Sequence, residues 1–572
     1  MAILGYQLVS TLIGISLLTK LSVHFSFTSV FIFGGIYRSL LPTNREILGS
    51  AGLTKIKSKG RRSNGAGAGG SYEGRNDPAT FYFPRSTPLK LRKAEVRGHE
   101  IAVLPFYTDL VWLVDFSLCA LLVLFANDFV SFFRHVLPPT LSTNKTTSFF
   151  LSMHSFFTPS TINLNLVWSL FIVWFAMGSL FSVLCVYLGR GSGNEAKVKE
   201  RAVSSSEWPL LMVTGFSSFI AAMLCLSLDV SFLDLRISPA YGNLTFSLSP
   251  EASGSSAMSW GMFQACLAFY AAMVGVLFAF PSLQYGRIYV QTLRDPESSW
   301  LTRLLFNLNL IAPQLTLLLW VVPLTARLPA LLLQHAGVAL GGAQMSTTWL
   351  SFVVLCARAL SSERICSLRL LFTLFTVTLR VAMTKRHMQV EKGSAIWRSL
   401  LFLVLNLEPH SCGQAFLDTA QTRLDRLNRE PGRITNREVQ RIVASVFHCF
   451  NFAALQYLAP AMLLIGLAFS YKASTGTGWL PLAPQINVAS SPSTSLASLI
   501  ETFAGQDWDL IFTASWFSAL QHTREAFGEL WESLRCQAGY VCQGVLGFAL
   551  FWCLAAWQAV AVTGVAYHRF VD

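Results

Sequence analysis

Nine apolar runs, each near or above bilayer length, constrain this chain more than any other feature. A hydrocarbon core of ~30 Å is crossed by about 20 helical residues rising 1.5 Å each. The runs are Ile3–Thr19, Leu110–Phe133, Ile162–Leu188, Trp208–Leu228, Met262–Pro281, Leu304–Ala326, Cys366–Thr384, Ile442–Ser470 and Val541–Ala566. They predict an all-α polytopic membrane protein of about nine transmembrane helices, in a range of eight to ten. Only 13% of the 572 residues are charged, about half the share of a soluble domain. That excludes disorder, a disulfide-stapled secreted scaffold and most soluble multidomain architectures. Three shorter runs stay undecided: Phe25–Leu41, broken by Gly34-Gly35 and carrying Arg38, and the 12-residue Trp349–Leu360 and Ile396–Leu407. Runs of that length suit interfacial or re-entrant segments. The first run has neither a basic leader nor an A-x-A-like cleavage site before Lys20, so it is expected to be a retained helix.

A net charge of +13, from 43 basic and 30 acidic residues, suggests either nucleic acid or membrane topology. Placing the N-terminus outside and alternating nine spans puts 32 of the 43 basic residues on one side and 9 on the other. The remaining two, Arg369 and Arg380, lie in the seventh run. This is the positive-inside bias, so the charge reports orientation, with a cytosolic C-terminus and no nucleic acid partner. The only N-x-[S/T] sequons, at Asn144 and Asn243, fall in loops that the charge assigns to the lumenal or extracellular side. Both are expected glycan acceptors.

Between the spans, 20–109 and 385–441 read as cytosolic segments and 471–540 as a lumenal or extracellular loop. Thr54–Asn76 joins a basic cluster to a Gly-rich tract that cannot bury a core, the composition of a linker. Its Lys55, Lys57, Lys59, Arg61 and Arg62 are candidates for anionic lipid headgroups, with a solvated, topogenic charge run as the alternative. Leu417, Ala420, Leu424 and Leu427 recur at helical spacing, Pro431-Gly432 breaks that helix, and Thr435-x-x-Glu438 is a capping box that opens the next one. An interfacial helix is expected there, with a calmodulin-like partner site as a second use of such a basic amphipathic segment. Trp516, Leu520, Phe527, Leu530, Trp531 and Leu534 form another amphipathic face on the outer side.

No chemical motif stands out. The chain has no G-x-x-x-x-G-K-[ST], no G-x-S-x-G, no H-E-x-x-H and no C-x-x-C, and its ten His lack ligand spacing. Neither a catalytic residue nor a cofactor or metal site is assigned. Cys356, Cys366, Cys536 and Cys542 lie near run ends, where an oxidising lumen would allow pairing, whereas the cysteines inside runs read as small apolar residues. Polar groups within the spans are the remaining pointers. Asp115 lies roughly 7 Å into the second run at ~1.5 Å per residue, and Arg380 lies at similar depth from the cytosolic end of the seventh. They form a candidate interhelical ion pair, against a snorkelling Arg380 and an interfacial Asp115. Asn307, Asn309 and Gln314, with His448, Asn451 and Gln456, either bond across helices or line a polar path. Pro313, Pro323 and Pro460 predict kinks.

Several strings carry a family resemblance: MAILGYQLVSTL at Met1–Leu12, WLVDF at Trp112–Phe116, FAFPSLQ at Phe278–Gln284 and LNLIAPQLTLLLWVVPLT at Leu308–Thr325. They continue with TLRVAMTKRHMQ at Thr378–Gln389, GRITNREVQRIVASVF at Gly432–Phe447, ALQYLAP at Ala454–Pro460 and YHRF at Tyr567–Phe570. In these blocks, which span the chain, it resembles the transmembrane protein 161 family. Departures are the Gly-rich tract, the stretches around Asn144, Ser361–Ile365 and Val390–Gln414, and Ser282 in place of an expected Gly. The resemblance implies a multi-pass, glycosylated, non-enzymatic protein of the plasma or secretory-pathway membrane. Vertebrate members are associated with heart rhythm and membrane excitability and with survival under oxidative or genotoxic stress. The expectation is therefore a modulator of ion currents that acts on ion-channel or other membrane-protein partners. The alternative is an ion or small-solute channel or transporter in its own right.

Overall fold

The structure is a computed structural model. It describes residues 6–24, 27–28, 37–50, 81–84, 87, 89, 91–95, 98–136, 164–188, 208–228, 232–248, 259–294, 300–325, 327, 365–388, 433–448, 450–476 and 516–571. All nine predicted runs are helical among them. Seven helices are long and apolar enough to cross a membrane. The other two predicted spans are α1 (Tyr6–His24), whose apolar part is Gln7–Lys20, and α9 (Trp300–Leu318).

The helix α4 begins at Tyr107–Val111, passes through a π-helical turn at Trp112–Phe116 and continues as Ser117–Val136. Next come α5 (Leu164–Leu188), α6 (Trp208–Ser227), the short α7 (Ile237–Leu248) and α8 (Trp260–Arg294). After α9 follow α10 (Ile365–Met388), α11 (Asn436–His448), α12 (Phe450–Thr475) and α13 (Trp516–Val571). The α12 helix is the axis of the bundle, packing on α5, α10 and α13, while α8 packs on α13 and α6. Accordingly 83% of the apolar window of α12 is buried, against 22% for the peripheral α6. Close approach depends on small residues. A Cβ on Gly286 of α8 would stand 2.7 Å from the Gly564 carbonyl carbon and the Val565 nitrogen of α13, the small-residue contact that brings membrane helices together.

Several element boundaries differ from expectation: α9 ends at Leu318 rather than Ala326, and α13 begins at Trp516 rather than Val541. The fifth span was expected to end at Pro281, yet α8 continues through it to Arg294. A proline removes one ladder donor, but a packed membrane helix re-satisfies the freed carbonyl locally. The eighth span was expected from Ile442, but Ile442 and Val443 belong to the separate amphipathic α11, and the spanning helix starts at Phe450. Val443 instead helps close a small extramembrane core with Ile47, Phe83, Leu89, Ile434 and Val439.

Segments on both sides of the Thr54–Asn76 tract contribute to that core through Ile47, Phe83 and Leu89. Strand β2 (Tyr82–Pro84) pairs antiparallel with β4 (Arg433–Thr435), and β1 (Tyr37–Ser39) pairs with β3 (Lys93–Glu95). Helix α2 (Asn44–Ser50) joins the core of the β2–β4 pair through Ile47. The expected cap of α11 forms, with the Glu438 N–H donating to Thr435 Oγ1 at 3.2 Å. A second capping box opens α2, where Thr43 N–H donates to Glu46 Oε2 at 2.9 Å and Glu46 N–H reaches Thr43 Oγ1 at 3.4 Å. Across the unit, Asn436 donates to Asn44 at 3.0 Å and Gln440 to the Pro42 carbonyl at 3.0 Å.

Asn243 was expected in a loop but lies within α7. Cys366 and Cys542 are free thiols. Asn144, the basic cluster Lys55–Arg62, the helix predicted at Leu417–Leu427, Trp349–Leu360 and Ile396–Leu407 lie outside the described residues.

Candidate functional site

The polar groups inside the bundle form separate interhelical ties. Near the predicted cytosolic end of α10, the Arg380 guanidinium is held between aromatic faces, 3.9 Å from the Trp557 ring centroid and 4.4 Å from that of Tyr285. Arg380 is 2% exposed, so it does not snorkel to the interface. Asn309 of α9 donates to the Tyr285 hydroxyl oxygen at 2.7 Å, and Gln558 of α13 donates to the Leu310 carbonyl at 2.8 Å. One helical turn nearer the membrane edge, the Tyr289 hydroxyl donates to Asn307 at 2.6 Å. Four helices, α8, α9, α10 and α13, therefore converge on one buried cation. Desolvating a charge in this way is costly; ring faces offset part of that cost by ~2 kcal/mol or more when water is excluded.

Asp115 is elsewhere. It sits in the π-helical turn of α4, 6% exposed, and its Oδ1 accepts both the backbone N–H and the hydroxyl of Thr28 at 2.7 Å. Among the described residues no ion pair joins it to Arg380. The two side chains lie in different helix contacts: Asp115 against the chain that follows α1, Arg380 against α8 and α13. Gln456 makes a third, unconnected tie, donating to the Tyr187 hydroxyl on α5. Asn451 donates to the carbonyls of Ile101 and Pro105 at 3.4 and 3.3 Å, beside the left-handed Phe106 that precedes α4. A cavity of about 370 Å³ that Asp115 lines includes neither Asn309 nor Gln456.

A second buried arginine, not singled out from the sequence, organises the opposite membrane edge. Helix α9 ends at Leu318 in a turn, and Leu233 bridges Val321 in an antiparallel pair. Asp234 N–H then donates to the Trp320 carbonyl at 3.0 Å, and Val322 N–H to the Phe232 carbonyl at 2.9 Å. The unwound carbonyl of Leu319 accepts from Arg369 Nε at 3.0 Å, while Arg369 Nη2 bonds Asp234 Oδ2 at 3.0 Å. The guanidinium also lies 4.2 Å from the Trp320 ring centroid, and Trp320 packs on Tyr471 and Phe551. Burial pushes the Asp234 carboxyl up, but the Arg369 and Arg236 charges beside it outweigh burial and hold it below the usual carboxylate range. The available signal was Arg369 itself, a charge inside an apolar run; its acceptor was not predictable from a short loop.

Lys472 of α12 and Asp128 of α4 form a further ion pair at 2.5 Å. Ser10 bonds Asn127, which donates to Asn165 at 2.6 Å, and ties α1 and α4 to α5. Ends that the charge count places on one side meet throughout: 232–236, 319–322, Arg369 and Tyr471 at one edge, and 82–84 with 433–435 at the other.

Together these helices and their internal polar ties define a polytopic helical membrane protein. The chain belongs to the predicted transmembrane protein 161AB family, whose model matches residues 2–391 and 395–572. No solved structure matches it.

Proposed function

We propose that the protein is a non-enzymatic, multi-pass modulator of membrane excitability that acts on ion-transporting partners within the bilayer. The observation that supports this reading is the use made of the intramembrane polar groups. Asp115, Asn309 and Gln456 each join a different pair of segments, which is the ordinary use of polar residues as helix ties rather than the lining of a shared path. Meanwhile α6 leaves Met212, Val213, Phe216, Ile220 and Leu224 between 45 and 69% exposed, a lateral face on which another membrane helix can pack. The same reading carries the roles in heart rhythm and in survival under oxidative or DNA-damage stress, residence in the plasma or a secretory-pathway membrane, and an outward N-terminus. It also carries glycans at Asn144 and Asn243 and contact of Lys55, Lys57, Lys59, Arg61 and Arg62 with anionic lipid.

Two measurements test it. Whole-cell recording after depletion of the protein is expected to show altered current density, restored by the wild-type chain and not by a chain carrying Phe216→Lys and Ile220→Lys. Purified protein in liposomes is expected to give no ion flux above empty vesicles. Robust flux that Asp115→Ala or Asn309→Ala abolishes would instead establish transport by the protein itself.

A further inference from the structure

We propose that the cleft between α1 and α4 is a binding site for a neutral membrane lipid, one that carries a hydroxyl group on a compact apolar body. The cleft encloses about 370 Å³, within the ~300–1,000 Å³ typical of small-molecule sites. One wall is the Ser10, Ile13 and Leu17 face of α1; the other is Asp115, Cys119 and Leu122 of α4. Lining extends on α4 from Asp115 to Ala126, a length of roughly 16 Å at ~1.5 Å per residue, about half the ~30 Å hydrocarbon core.

Three features identify the occupant. Ile13, Leu17 and Leu122 at the rim are 48–57% exposed, so the mouth of a cleft between the apolar α1 and the membrane-spanning α4 opens onto lipid rather than water. Gly14 closes the floor: a Cβ there would meet Val123 at 2.4 Å, so the helices pinch together behind the space instead of filling it. The walls are apolar except for Ser10 and the Asp115 carboxyl, whose position the two Thr28 bonds hold. A few fixed polar atoms in an apolar pocket set the orientation of a ligand. A carboxyl that accepts hydrogen bonds favours a hydroxyl donor and disfavours a phosphate or a second carboxylate. The π-helical turn that contains Asp115 belongs to a class of helix distortion frequent at functional sites. A sterol and a monoacylglycerol share this chemistry.

The test uses the full-length protein in phosphatidylcholine vesicles with three diazirine probes: a sterol, a monoacylglycerol and a fatty acid. Labelling by the sterol or the monoacylglycerol is expected to map to peptides of α1 and to residues 115–126, and to be competed by the same unlabelled lipid. Whichever of the two labels saturably identifies the source. Ala126→Phe, which fills the cleft, and Asp115→Ala are each expected to weaken labelling about tenfold, equivalent to ~1.4 kcal/mol. Phe269→Ala, at an exposed position of α8, is expected to leave it unchanged. Leu122→Trp, at the exposed rim, blocks the mouth and keeps the result readable if Ala126→Phe does not fold. Labelling that cannot be competed, that spreads equally over α6, that survives both blocking variants, or that favours the fatty acid overturns the proposal.

Discussion

Two arginines in one helix, Arg369 and Arg380, are both fully enclosed, and each lies over a tryptophan ring. A planar guanidinium can stack and hydrogen-bond at once, which an ammonium cannot. Arg369→Ala leaves the unwound Leu319 carbonyl without its donor and Asp234 with Arg236 alone. Losing a buried hydrogen-bonded cation is destabilising, and the expected result is a clear fall in Tm of the detergent-purified protein. Arg380→Lys is expected to fail to restore what Arg380→Ala loses, because the aromatic sandwich matches a plane. The Asp234 tie also has a pH signature. Its carboxyl titrates below the unfolded value of about 3.9, so the tie stabilises the fold above that pH and is lost as pH falls through the lower folded value. Thermal scans are expected to stay level down to about pH 4 and then decline, and Asp234→Asn is expected to remove that acid-dependent component. Asp115 and Arg380 were legible as intramembrane charges, yet their separate partners, Thr28 for one and the Tyr285 and Trp557 rings for the other, were not, since a side chain's depth says nothing about which helix it faces.

Helix existence was readable because apolar length is a one-dimensional property. Boundaries were less so. Pro281 has the signature of a stop, and Ile442 that of a start, but packing on α13 carries α8 onward and the extramembrane core captures the first turns of α11. The α8–α13 contact depends on Gly286 lying against the backbone at Gly564. Gly286→Val forces the helices apart, an overpacking cost of ~1–3 kcal/mol, and is expected to lower Tm while leaving helicity by circular dichroism unchanged. In the extramembrane unit, Phe83→Ala removes a ring that is 2% exposed. A loss of ~3–5 kcal/mol is expected locally, read as faster protease cleavage between β2 and α3 (Gly98–Ala102) without loss of the membrane bundle.

At the scale of the whole molecule, 232–236 meets 319–322 and 82–84 meets 433–435, segments that the charge count assigns in each case to one side. Orientation has its own test: Asn144→Gln and Asn243→Gln are each expected to remove one glycosidase-sensitive gel shift, and protease is expected to reach Gly60–Gly70 only from the cytosolic side. The sequence by itself determined the solvent of this protein and the approximate number of its apolar helices, since each follows from local length and hydropathy. Tertiary structure decided which polar groups became partners, where the lipid-facing cleft opened and how two distant segments built one small extramembrane core. The physical reason is that membrane helices are all apolar outside, so hydropathy does not encode which surfaces pair. That choice rests on small residues and on the shape of side chains across an interface, and it exists only once the chain is folded.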